Sequence, residues 1–192
     1  MLQKLVEQFA DNTNLPVEID DIVEAIKALG WQDEVFLFAA DTDPTRVRGA
    51  FRQFTYRKGV YAEPQLVTHI VYSQNVSLAW QRVICAKELV HIYDSLAAKT
   101  DTEEEVSQLL DRLVGPLSSE DYGLVDLQAA KDRLALYQAL PLLLPKASLE
   151  VARANSIAAE VVAERACMPV ELVNLVMSDD WQDLNGALFV DC

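Results

Sequence analysis

Basic residues, paired cysteines, glycine-rich tracts and long apolar runs are all scarce in this chain, and each scarcity removes a class of function. Against 30 Asp and Glu stand only 16 Lys and Arg, a formal charge of −14. Such a chain repels a phosphate backbone at long range, which disfavours nonspecific binding to DNA or RNA. Cys85, Cys167 and Cys192 are odd in number, far apart and without CxxC spacing; isolated thiols in a reduced compartment, with no metal or redox role, are expected. The glycines and prolines stand singly and no tract repeats, which excludes low-complexity and repeat architectures. No glycine-rich phosphate loop or Rossmann fingerprint occurs, and no serine or cysteine has a histidine and an acid at motif spacing. The opening Met1-Leu2-Gln3-Lys4 is not a basic leader before an apolar core, and no apolar run approaches the roughly 20 residues of a membrane span. A cytoplasmic chain without a membrane partner is the expectation.

What is present is apolar content: 51% of 192 residues, enough for one substantial core. Leu2 to Ala10 has a helical apolar period, and after Pro16 a second amphipathic helix carries Ile19, Ile22, Val23, Ile26 and Leu29 before Gly30 stops it. The continuous run Val35 to Ala39 suits a strand buried on both faces. Val47 to Tyr61, rich in aromatic and β-branched residues, and His69 to Tyr72 complete a small antiparallel sheet over about 35–73. Ser77 is a candidate N-cap for a central helix over 78–98. Thr102 and Glu105 form a capping box for a helix over 102–114, another helix is expected over 126–140, and Ser148 to Val176 reads as helices broken near Cys167-Met168-Pro169. The fold class is therefore α+β, a small sheet packed on one central helix with a helical C-terminal half. The expected division is a domain over 1–147 and a helical extension over 148–192.

Two features carry chemistry. Arg46, Arg48, Arg52, Arg57 and Lys58 form a basic stretch free of acidic residues, either a solvated strand face or a patch for an acidic partner. On the central helix, apolar residues cover most of the circumference, yet Lys87, Glu88, His91, Asp94 and Ser95 share one wedge in line with Trp80 and Ile84. That wedge is either the face that meets water, held by pairing among Lys87, His91 and Asp94, or the lining of a cleft. Glu-x-x-His on a helix is the second half of HExxH, in which two histidines bind zinc from one face and the glutamate serves as base.

Ala86-Lys87-Glu88-Leu89-Val90-His91 resembles the AHELGH signature of the ImmA/IrrE family of zincin-like metallopeptidases, whose known members include zinc endopeptidases that cleave phage or stress-response repressors. Further pieces follow in the family's order. Leu15 to Ile19, leading to Leu29, is similar to its PVDI helix, and Tyr61 to Ser73 with Gln81-Arg82-Val83 to its sheet and the approach to the active helix. Ala135 to Pro145 is similar to its LLMP-ended helix, and Ile157 to Val176 to its trailing helix pair. The resemblance implies a zincin-like fold and a site at Glu88 and His91. Against it, Lys87 replaces the first histidine, and the family's spacing puts Leu134 where the third ligand belongs. Only His91 survives as a ligand position, and a lone imidazole cannot hold zinc. His69, Asp94 or Asp132 are the residues a rebuilt site would recruit.

The resulting expectation is a non-catalytic pseudo-metallopeptidase, a regulatory or protein-binding module without a cofactor, in a prophage or stress-response circuit. Because Ala158 to Val176 offers more apolar surface than a short helix pair hides, the pair is expected to pack on the core or on a second subunit, the latter making a homo-oligomer. The helix from Pro169 to Met177 lacks lysine and arginine, so it is not read as a DNA recognition helix. The alternatives are a metal-dependent peptidase with unusual ligands, in which zinc is the cofactor, and a nucleic-acid binder using the 46–58 stretch.

Overall fold

A computed structural model describes residues 1–45, 47–59, 61–94, 121–181, 185, 188 and 189, with 121–129 described by backbone alone. Among these residues it has a mixed α and β fold: seven α-helices and a three-stranded sheet. Helices α1 (Leu2–Phe9) and α2 (Ile19–Ala28) bury the predicted stripes, Leu5 and Phe9 on one and Ile22 and Ile26 on the other. Gly30, at a φ of 101° that side-chain-bearing residues avoid, turns the chain after α2.

Strands β1 (Glu34–Ala40), β2 (Gly49–Tyr56) and β3 (Gln65–Ser73) pair in the order β1-β3-β2. The all-antiparallel expectation is corrected: β2 and β3 form an antiparallel pair, but β1 runs parallel to β3. The segment between β1 and β2 crosses the end of β3 instead of making a hairpin. Ser73 N–H donates to the Arg48 carbonyl, Gln74 N–H to the Ala40 carbonyl, and the Asn75 amide to both Asp41 and the Thr42 carbonyl. β1 is also not buried on both faces. It is an edge strand of alternating exposure, with Val35 and Leu37 against the core and Phe36 and Phe38 turned outward. At its start a buried Asp33 carboxylate accepts from Gln53 and, at 2.8 Å, from the Thr68 hydroxyl, which ties β1 to the other two strands by their inner face.

The central helix α3 (Leu78–Val90) begins where Ser77 accepts from the Trp80 N–H. It ends earlier than predicted, passing into a 3-10 turn over His91–Tyr93. Residues 95–98 and the predicted 102–114 helix lie outside the described residues. Helix α4 (Asp121–Leu143) is longer than the predicted 126–140 and runs through Pro141. Proline lacks an N–H, so the Tyr137 carbonyl loses its helical donor, yet the helix continues to Leu143 and the Leu144 N–H still donates to the Leu140 carbonyl at 2.8 Å. The C-terminal stretch is three helices, α5 (Lys146–Ala154), α6 (Ala159–Ala166) and α7 (Val170–Met177). The break at Cys167 falls as predicted, in a left-handed conformation; a second, at Ser156, carried no glycine or proline to announce it.

One apolar cluster joins these elements, from Leu5, Ile22 and Ile70 through Val83, Leu89 and Leu143 to Val162, Val173 and Trp181. Each such side chain contributes about 1.5–3 kcal/mol relative to exposure. Leu172, Val173 and Val176 of α7 are buried within this one chain. Polar ties support the same join: Ser148 donates its hydroxyl to the Asn12 carbonyl at 2.8 Å, and Arg153 reaches the Val176 carbonyl at 3.1 Å.

Candidate functional site

α3 is buried along most of its surface because the sheet covers one side and α4 another. Gly49 permits the first contact. A Cβ built there would lie 2.5 Å from the Glu88 carboxylate and closer still to the Ile84 side chain. Gly49→Ala is therefore expected to push β2 off α3, costing about 1–3 kcal/mol in a denaturant titration.

The polar wedge lies at this crowded place. Glu88 is only 3% exposed. The Lys87 ammonium sits 2.8 Å from Glu88 and 2.5 Å from Asp132 of α4. His91, just past the end of α3, has Nδ1 2.8 Å from Asp94 and Nε2 3.9 Å from the same Asp132 oxygen that meets Lys87. Phe51 of β2 covers the imidazole, ring centroids 6.1 Å apart. The result is two cations interleaved with three carboxylates across α3, its terminal turn and α4.

Desolvation would lower the pKa of His91, but the carboxylates of Asp132 and Asp94, with the nearby charge of Glu88, outweigh it and lift the group to about 9. Burial likewise works against the Lys87 ammonium, and Glu88 and Asp132 overcome it and raise its pKa. His91 draws Asp132 down to about 2, against the opposing effect of burial and with help from Lys87. Both cations are therefore charged at neutral pH, and Asp132 is ionised. On the face of α3 away from water, burial and then the Glu88 charge push the Cys85 thiol up to about 12, which removes it as a nucleophile.

Lys87, Glu88, His91 and Asp94 thus converge as the helical wheel predicts; Ser95 is outside the described residues. Leu134 does not approach them. It is 44% exposed, and the α4 residue that reaches His91 is Asp132, just upstream. A signal for Asp132 exists: it continues, at helical spacing, the buried stripe of Ala135, Ala139 and Leu142. His69 is not available to the cluster. β3 turns it to the opposite face of the sheet, where its ring lies among Phe36, Phe38 and Phe54.

The basic stretch is split as well. Arg48 lies over the Trp80 ring at 5.9 Å, Arg52 over Phe54 at 5.4 Å, and Arg57 and Lys58 follow β2 in exposed positions; Arg46 is outside the described residues.

The donor set does not suit a divalent metal. An ammonium occupies the middle of the carboxylates, and an imidazolium has no lone pair to give. No group of three or more His, Cys, Asp or Glu among the described residues is arranged to hold an ion. No helix among them is long and apolar enough to cross a membrane. Comparison with protein-family models, curated proteins and solved structures finds no match.

Proposed function

We propose that this chain is a non-catalytic relative of the ImmA/IrrE metallopeptidases, a regulatory or protein-binding module on a zincin-like frame in which an ion-pair network stands where zinc chemistry would be. The observation that carries this reading is the Lys87 ammonium held between Glu88 and Asp132, 2.8 and 2.5 Å away. It projects from the helix position, one turn before His91, at which HExxH has its first histidine. A cation there opposes a divalent ion, and it engages Glu88 as a counterion, so that no metal-bound water is left for that carboxylate to activate. The fixed ammonium fills the place of the ion electrostatically, which keeps the cleft walls together without catalysis. A role in a prophage or stress-response circuit follows from the resemblance alone.

The test is metal content and proteolysis measured on one preparation. Protein purified without added zinc is expected to hold far less than one equivalent of metal and to show no chelator-sensitive cleavage of casein. Near-stoichiometric zinc, or cleavage abolished by a chelator, overturns the proposal in favour of a peptidase with unusual ligands.

A further inference from the structure

The sheet has a second face, and nothing in the charged cluster uses it. Side chains alternate along a strand, so the residues that flank the core-facing Leu37, Phe51 and Ile70 point away from α3. Register places Phe36 and Arg52 directly opposite His69 on either side of β3. Phe36 and Phe38 are 43% and 44% exposed, an unusual state for two neighbouring phenylalanines on a sheet.

These rings are already ordered. Phe36 and Phe38 stack with centroids 6.3 Å apart, and His69 stands edge-on to Phe36, Phe38 and Phe54 at 5.7, 5.0 and 4.9 Å. A partner landing here pays little to fix them. Charge here leans cationic without being of one sign. Arg52 lies over Phe54, and exposed Arg57 and Lys58 follow Tyr56 in the loop after β2, against Glu34 at the far edge, whose carboxylate also accepts from the Gln65 amide at 3.0 Å, and exposed Glu63 of the same loop. In a chain of net charge −14 even this local excess of cations beside an aromatic patch is an exception.

We infer that the outer face of the sheet is a docking surface for an acidic peptide segment of a partner protein, its aromatic or aliphatic side chains on Phe36, Phe38 and Phe54 and its carboxylates on Arg52, Arg57 and Lys58. This gives a surface and a chemistry to the partner-binding reading above, on which it rests for the existence of a partner. Charge complementarity selects the occupant. A second copy meeting face to face sets Arg52, Arg57 and Lys58 against their own kind. A single-stranded nucleic acid finds rings to stack on, but it carries a phosphate at every residue, so the field of the whole acidic chain opposes it more strongly than a peptide with a few carboxylates placed against the local cations.

The probe is a fluorescein-labelled peptide of phenylalanines interspersed with glutamates, followed by fluorescence anisotropy. Its counterpart with lysines and an oligo-dT strand are run beside it. The acidic peptide is expected to bind best, and Phe36→Ser with Phe38→Ser to weaken it at least about tenfold, as for the loss of aromatic anchors. Both rings are more than half covered by their neighbours, so a modest lowering of the melting curve is expected, and binding is compared at a temperature at which parent and variant are both folded. Arg52→Glu is expected to weaken binding and flatten its salt dependence. No preference for the acidic peptide, or binding that ignores the Phe36 and Phe38 changes, overturns the inference. So does tighter binding of oligo-dT, or a concentration-dependent dimer in sedimentation that the serine variants abolish. Zinc content and casein cleavage of the same sample separate failure of the non-catalytic reading from failure of this one.

Discussion

Lys87→Met lowers the unfolding free energy by about 2–4 kcal/mol in a denaturant titration at neutral pH, somewhat below the range of about 3–5 kcal/mol for breaking a fully buried pair, because the Asp132 carboxylate is half exposed. Glu88 is what makes the loss large. Its side chain is 3% exposed and Lys87 supplies its nearest cation, at 2.8 Å, so the substitution leaves a buried carboxylate with distant compensation from His91 alone. One control isolates the cause: Lys87→Met with Glu88→Gln, which removes both charges, is expected to recover most of the stability. If the single variant unfolds like the parent, the ammonium is not holding α3 to α4 and the electrostatic-filler reading is lost.

The imidazole gives the second large effect, and its sign follows from the direction of its shift. His91 has a folded pKa of about 9 against an ordinary 6.5, so the native state binds the proton more tightly than the unfolded chain does. The stabilisation is complete below about pH 6.5 and is lost as pH rises through about 9. From those limits the total is on the order of 3 kcal/mol. Unfolding free energies measured at intervals across that window should fall toward the alkaline side, and His91→Asn should remove most of the fall. A parent and variant with parallel pH profiles would mean that Asp94 and Asp132 do not hold the imidazolium. Asp132 acts at the other extreme: with its pKa at about 2, its contribution is present above the usual carboxylate range and disappears only in strong acid. It is 55% exposed and water screens much of its effect.

The helices were legible because their signals are local. The stripes of α1 and α2, the Gly30 stop and the Ser77 cap all act within a turn or two of sequence, and the structure has each of them. The sheet was legible as strands but not as an arrangement. Nothing in Val35 to Ala39 shows that β1 skips its chain neighbour to lie beside β3; that is decided by Ser73 and Asn75, which capture the crossing segment from thirty or so residues away. The same misjudged topology led to reading an edge strand as a doubly buried one. At the site, the members supplied by α3 followed from helical spacing alone. Asp132 was named only as one recruit among three: helical spacing puts it in line with the buried stripe of α4, but that it meets Lys87 and His91 depends on how α4 crosses α3, and the family spacing pointed instead to Leu134. Gly49 lies inside the Val47 to Tyr61 segment, and its service, admitting Glu88 and Ile84 close to the backbone, appears only once β2 and α3 are docked.

The buried thiol of Cys85 has a practical consequence for anyone attaching a reporter to this protein. With its pKa at about 12 it holds almost no thiolate at neutral pH, and maleimide or iodoacetamide dyes react through thiolate. Among the described residues the dye is left with Cys167, half-buried at the left-handed bend between α6 and α7. Once Cys192, which lies outside the described residues, is replaced by serine, a fluorophore introduced by ordinary conjugation would therefore report on the bend between α6 and α7, and neither the ion-pair network nor the phenylalanine surface would need to be disturbed to place it.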